Sequence, residues 1–140
     1  FIGLIMLEGT SELVLSIQAA NGGVAMIPIF ANVWAGEVSD LRLTLQPAFE
    51  GAVVVQAEMI DAAGNATFVG EETTFSVTVS PDEGELDPAG NLLLESWEGI
   101  VSVLFIPPAA QPGTWTVTIA WASGDEGLSG VSQSIDVIVP

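Results

Sequence analysis

Apolar and polar residues alternate along most of this chain, and that alternation is the feature that most limits its fold. Phe75, Val77 and Val79 alternate with threonine and serine, and the same period of two recurs in residues 53–59 and 115–121. Successive side chains of a β-strand point to opposite faces of a sheet. The pattern therefore predicts strands with one buried face and one exposed face.

Turn signals separate these segments at intervals of roughly a dozen residues. Residues 61–65 predict a hairpin loop that leads into a strand at 66–69, and residues 81–90 predict a long acidic loop. The apolar run 24–34 contains Pro28, which predicts an edge strand or a bulge because proline cannot donate to a ladder. No segment shows a convincing helical period. The sequence predicts an all-β fold, an Ig-like antiparallel β-sandwich of about nine or ten strands.

The charge balance excludes several function classes. The 140 residues include eighteen acidic residues and a single basic residue, Arg42, with no cysteine, histidine or tyrosine. Binding to nucleic-acid phosphates requires lysine and arginine, so we do not expect a nucleic-acid partner. Serine and threonine have no histidine or lysine to activate them, and we expect no enzymatic activity. The length suits one domain, and the absence of cysteine excludes disulfides.

Carboxylates suggest one candidate metal site. Close spacing of hard oxygen ligands in the acidic loop suits Ca²⁺, although the EF-hand pattern is not matched. The alternative is a solvated loop that binds nothing. The candidate ligands are Asp82, Glu83, Glu85 and Asp87.

Tryptophan and asparagine provide further candidates. Glu95 and Glu98 flank Trp97, a composition found at sugar sites, but a glycosidase cleft also needs polar and cationic groups that are scarce here. Asn65 begins the sequon Asn65-Ala66-Thr67 beside a predicted turn and is a candidate for glycosylation. Two of the four tryptophans, at 115 and 121, share the apolar face of one strand and are expected in the core, whereas those at 34 and 97 are free to lie in an interface.

The first seven residues are entirely apolar and are followed by the polar stretch 8–11. Seven residues span about 23 Å as a strand, far short of the roughly 20 residues that a transmembrane helix needs. Two arrangements bury this run: it opens the chain's own sandwich, or it completes the sheet of the next subunit by β-augmentation. In the second arrangement residues 8–11 are the hinge. The polymerisation strand then consists of Phe1, Ile2, Leu4, Ile5, Met6 and Leu7.

This plan, an apolar N-terminal run followed by a β-sandwich, resembles donor-strand filaments: the bundling pili and surface threads of archaea and the TasA-type biofilm matrix fibres. Residues 111–119 also resemble a late strand of bacterial and archaeal extracellular Ig-like modules. The resemblance implies a donor strand and hinge at 1–11, a sandwich at 12–140, and a structural subunit that assembles head-to-tail with identical subunits. Because there is no lysine, such a filament has no isopeptide bonds.

Two expectations accompany this interpretation. The chain begins with phenylalanine, which indicates either proteolytic maturation or an arbitrary boundary of the sequence. Removal of a signal peptide before Phe1 fits a surface protein, so the expected location is extracellular, at the cell surface. We expect no membrane span. The alternative function is an Ig-like surface-layer or carbohydrate-binding module whose first strand stays in its own fold.

Overall fold

A computed structural model describes residues 9–18, 20–33, 35–109 and 111–140. The chain divides into two compact units, Phe1–Ala35 and Gly36–Pro140. The described residues form ten strands: β1 Gly9–Gln18, β2 Val24–Val33, β3 Val38–Pro47, β4 Val53–Asp61, β5 Thr73–Ser80, β6 Glu85–Asp87, β7 Asn91–Leu94, β8 Ile100–Ile106, β9 Gly113–Ser123 and β10 Ser132–Val139. A 3₁₀ turn at Glu126–Leu128 precedes β10. No helix among these residues is long and apolar enough to cross a membrane.

The second unit is a β-sandwich of two antiparallel four-stranded sheets. One sheet has the order β3-β4-β8-β6 and the other β10-β9-β5-β7. The first order corresponds to strands ABED of an immunoglobulin constant-type domain, and the second to GFC with β7 added beside β5. The prediction of an all-β sandwich is confirmed.

Both sheets of the sandwich contribute to one core, and the alternation in the sequence explains which residues fill it. In β4, Val55, Ala57 and Met59 are fully buried, while the residues between them face outward. Phe75 of β5 and Val117 of β9 are equally buried on the opposite sheet. Each fully buried valine, methionine or phenylalanine side chain contributes about 1.5–3 kcal/mol to folding. The period of two thus identified the inward faces correctly.

Two segments of the sandwich differ from the pattern prediction. Residues 66–69 do not form a strand and make only a single bridge, between Ile60 and Ala66. The acidic loop contains β6, which pairs with β8. In each case contacts with distant segments outweigh the local sequence signal.

The first unit contains a β-hairpin. β1 and β2 pair antiparallel without a register break, from Gly9 opposite Val33 to Gln18 opposite Val24. At the turn Gly22 has a φ of 86°, a left-handed conformation that glycine adopts without steric cost. In the described residues this sheet has two strands, so both are edges, and Pro28 lies on an edge strand as predicted. The predicted boundary between residues 11 and 12 falls inside β1; residues 1–8 lie outside the described residues, and the assignment of 1–11 as a donor strand and hinge stays a prediction.

Candidate functional site

The N-terminal polymerisation strand is the first candidate, and its residues lie outside the described part of the structure. The role assigned above to Phe1, Ile2, Leu4, Ile5, Met6 and Leu7 therefore stays a prediction. The hairpin that follows this run is described. β1 carries one charged residue, Glu12, and β2 carries none. Natural edge strands commonly carry lysine or other charges that prevent pairing with another chain. The β1–β2 hairpin has little such protection.

An exposed aromatic pair is the second candidate. Trp97 is 73% exposed and Phe68 is 43% exposed. Their ring centroids are 5.0 Å apart and the ring planes are inclined by 44°. That separation lies within the range preferred by interacting aromatic pairs, so each ring helps to orient the other. We call these two residues the aromatic platform.

Backbone hydrogen bonds fix the loop that carries Trp97. The Trp97 N–H donates to the Val69 carbonyl (2.8 Å), and the Val69 N–H donates to the Glu98 carbonyl (3.0 Å). The Met59 N–H donates to the Gly99 carbonyl (2.7 Å), which ties the loop to β4. A Cβ atom at Gly99 would lie 2.2 Å from the Thr67 carbonyl oxygen, so only glycine fits this close approach.

Trp97 itself has an unusual backbone conformation. Its φ is 72°, in the left-handed region. Bulky residues rarely adopt this conformation, and such strain costs about 1–3 kcal/mol. The hydrogen bonds on both sides of the residue hold it there, and the result is an indole ring that projects into solvent.

Four glutamates lie close in sequence to the two residues of the aromatic platform. Glu95 and Glu98 precede and follow Trp97, and a Glu98 side-chain oxygen accepts from the Glu95 N–H at 3.0 Å. The exposed residues Glu71 and Glu72 follow Val69 on the adjoining loop. The chain's one basic side chain, Arg42, forms an ion pair with Glu58 at 2.7 Å.

Asp61 organises the turn that contains the sequon. One carboxylate oxygen accepts from the Gly36 N–H, and the other accepts from the Ala63 and Asn65 N–H groups, all at 2.9 Å. These bonds, with that from Gly36 the strongest, lower the pKa of the Asp61 carboxyl group. Thr67 donates its hydroxyl to the Gly36 carbonyl at 2.7 Å.

Asn65, the candidate for glycosylation, is half-buried in this turn, and its modification stays a prediction.

The candidate calcium ligands Asp82, Glu83, Glu85 and Asp87 are all exposed. Glu85 and Asp87 belong to β6, where they lie opposite Ile106 and Leu104 of β8. In the part of the chain that the structure describes, no three acidic side chains are grouped so that they could hold a metal ion. The calcium site gains no support from this geometry.

The tryptophans have the environments expected of them, as far as they are described. Trp115 is 3% exposed and Trp121 is partly buried against the core. Trp34 lies outside the described residues. The flanking glutamates identified Trp97 as a candidate from the sequence. Phe68 lies in a segment that was predicted to be a strand, and no sequence pattern identified it.

Comparisons with known proteins identify the fold and nothing narrower. No protein family and no curated protein matches the chain. Among solved structures, the β-glucuronidase of Parabacteroides merdae with glycerol in its active site is similar over 97% of this chain (TM-score 0.58, 12% identity). The apo β-glucuronidase 3 of Bacteroides uniformis is similar over 96% (TM-score 0.56, 17% identity). This chain spans 17% of each of those proteins. At such identities the likeness establishes a shared β-sandwich fold.

Proposed function

We propose that this protein is the structural subunit of a non-covalent extracellular filament, in which each copy donates its N-terminal segment to the sheet of the next copy. The observation that supports the proposal is the division of the chain into a β-sandwich, Gly36–Pro140, and a second compact unit, Phe1–Ala35, that contains a two-stranded hairpin with a single charged residue.

Both sheets of the sandwich enclose an apolar core. Among the side chains that the structure describes, those that fill the core all lie between Val38 and Val137 and come from both sheets. In the proposal, the N-terminal unit is the part that supplies strands to another molecule.

The N-terminal sheet has two strands among the described residues. An isolated two-stranded hairpin is at best marginally stable in water, and three or more strands with an apolar face are needed for independent stability. β1 and β2 contain a single charge between them. Pairing with a neighbouring copy extends the sheet and buries apolar residues of the N-terminal unit. Six large apolar residues in the first seven each add about 1.5–3 kcal/mol when buried, before ordering costs.

Donation from each copy to the next is a heterologous contact. When the rotation between successive copies does not close a ring, this contact produces an open filament. The absence of cysteine and lysine means that such a filament is held by packing and backbone hydrogen bonds.

Deletion of residues 1–7 tests the proposal. We expect the full-length chain to form filaments in negative-stain images and the truncated chain to give discrete particles. The near-ultraviolet circular dichroism from Trp115 should not change, because the sandwich core remains intact.

Replacement of the same seven residues by a glycine–serine segment is the matched control, because it keeps the length and removes the apolar side chains. It should behave like the deletion. Filaments of unchanged diameter from either variant would refute strand donation. A large fall in the melting temperature of the monomeric sandwich would instead favour the alternative in which the run belongs to its own fold.

A further inference from the structure

We propose that Phe68 and Trp97 form a binding site for neutral carbohydrate. This inference is independent of filament assembly, because it rests on the sandwich unit alone. The site is the aromatic platform, together with the glutamates that lie near it in the sequence.

The two rings offer the apolar part of the site. The C–H bonds on one face of a pyranose ring stack favourably on an aromatic face, and tryptophan presents the largest such face. The centroid distance of 5.0 Å and the inclination of 44° give two differently oriented faces side by side. Single exposed apolar residues are common on protein surfaces and need no explanation. Here two aromatic side chains are exposed together and hold each other in place.

The backbone of Trp97 supports a role in binding. A left-handed backbone conformation at a tryptophan costs free energy, and glycine or asparagine at this position would avoid that cost. The Val69 carbonyl and the Glu98 backbone hold the loop rigidly, so the indole ring is already oriented before a ligand arrives. A rigid platform reduces the ordering cost of binding.

The neighbouring charges indicate which carbohydrates fit. Carboxylates accept hydrogen bonds from sugar hydroxyl groups, and Glu95 and Glu98 flank Trp97 in the sequence. Glu71 and Glu72 add negative charge on the adjoining loop, while Arg42 is already paired with Glu58. Uronic acids and sulfated sugars are repelled by this field, so the ligand class is neutral glycans.

Affinity electrophoresis of the full-length protein tests the inference. The gels contain a neutral polysaccharide (hydroxyethylcellulose, glucomannan or xyloglucan) or the anionic polygalacturonate. We expect retardation by at least one neutral polymer and none by polygalacturonate.

Four variants identify the site. Trp97→Gly removes the indole ring and relaxes the backbone, so the fold should be retained. The affinity calculated from the retardation should fall at least about tenfold. Phe68→Ala should weaken binding in the same direction. Trp97→Tyr keeps an aromatic face and should retain part of the binding. Phe49→Ala removes a different exposed ring, 63% exposed in the turn before β4, and should bind like the unaltered protein.

Three results would overturn the inference: no retardation by any of the neutral polymers, equal retardation of the Trp97→Gly variant, or preferential binding to polygalacturonate. A fourth result would also overturn it: Trp97→Gly changes the sedimentation of the protein and leaves glycan binding unchanged. The platform would then be a contact between copies of the chain.

Discussion

Asp61 links three parts of one end of the sandwich through its carboxylate. It holds the N–H of Gly36, before β3, and those of Ala63 and Asn65, in the turn after β4. Because these bonds favour the ionised form, the pKa of Asp61 is lower in the folded protein than in the unfolded chain. The stability that this carboxylate contributes is present at neutral pH and is lost as the pH falls below about 4.

Substitution Asp61→Asn should therefore lower the melting temperature at pH 7, and the difference from the unaltered protein should shrink at pH 3. Thermal denaturation followed by circular dichroism at both pH values provides the measurement. Asp82→Asn, on the exposed acidic loop, controls for the loss of one negative charge. An equal difference at both pH values would show that the charge of Asp61 is not what stabilises the turn.

The Asp61 turn also shows which parts of a site the sequence can reveal. The sequon at Asn65 was recognisable, as was the tryptophan between two glutamates, because both are local patterns. The bonds from Gly36 to Asp61 and from Thr67 to Gly36 join residues that are 25 and 31 positions apart. No local pattern reports such a pairing, and the same holds for Phe68 beside Trp97.

At the scale of elements, strands in the middle of the sandwich followed from the sequence, whereas short or irregular elements did not. β5 and β9 have alternating faces that the core confirms. β6 has only three residues, too few to show a period, and it exists because β8 lies beside it. Residues 66–69 have strand-like composition, yet their N–H groups bond to the Met59 and Glu98 carbonyls instead of to a regular ladder.

Two glycines provide a matched test of the hairpin. Gly22 in the β1–β2 turn and Gly90 before β7 have φ values of 86° and 89°, and a methyl group at either position meets no atom within 4 Å. Alanine should cost each element about 1–2 kcal/mol, because left-handed backbone is unfavourable for residues with a Cβ.

We expect Gly22→Ala to reduce filament yield and leave the melting temperature of the sandwich unchanged. We expect Gly90→Ala to lower the melting temperature of the sandwich and leave filament yield unchanged. Electron microscopy and thermal denaturation of both variants provide the measurements. If both variants lower the stability of the sandwich equally, the hairpin belongs to its own sandwich and is not donated to a neighbouring copy.

At the scale of the whole molecule, the net charge of −17 opposes association. Eighteen carboxylates repel the corresponding groups of a neighbouring copy at low ionic strength, and salt or protonation reduces that repulsion. Assembly and folding then respond differently to acid, because protonation reduces the repulsion between copies, whereas the Asp61 turn loses its stabilisation as the pH falls below about 4.

Light scattering should consequently show assembly increasing as the pH falls toward 4 or as millimolar Ca²⁺ is added, and decreasing again at lower pH. If Ca²⁺ acts by screening the charges, sodium chloride at high concentration should increase assembly in the same way. A Ca²⁺ response that persists in high salt would point to a specific site near Asp82 and Asp87. No response to either acid or Ca²⁺ would remove the carboxylates from the assembly mechanism.

The most direct test of strand donation is the substitution Leu4→Asp, measured by filament yield and by the melting temperature of the monomer. An unpaired charge buried where two subunits join costs several kcal/mol. Donation to a neighbouring copy predicts that filaments disappear while the monomer melts at the temperature of the unaltered protein. A monomer that melts at a clearly lower temperature would contradict the account, because the run would then be a strand of its own sandwich.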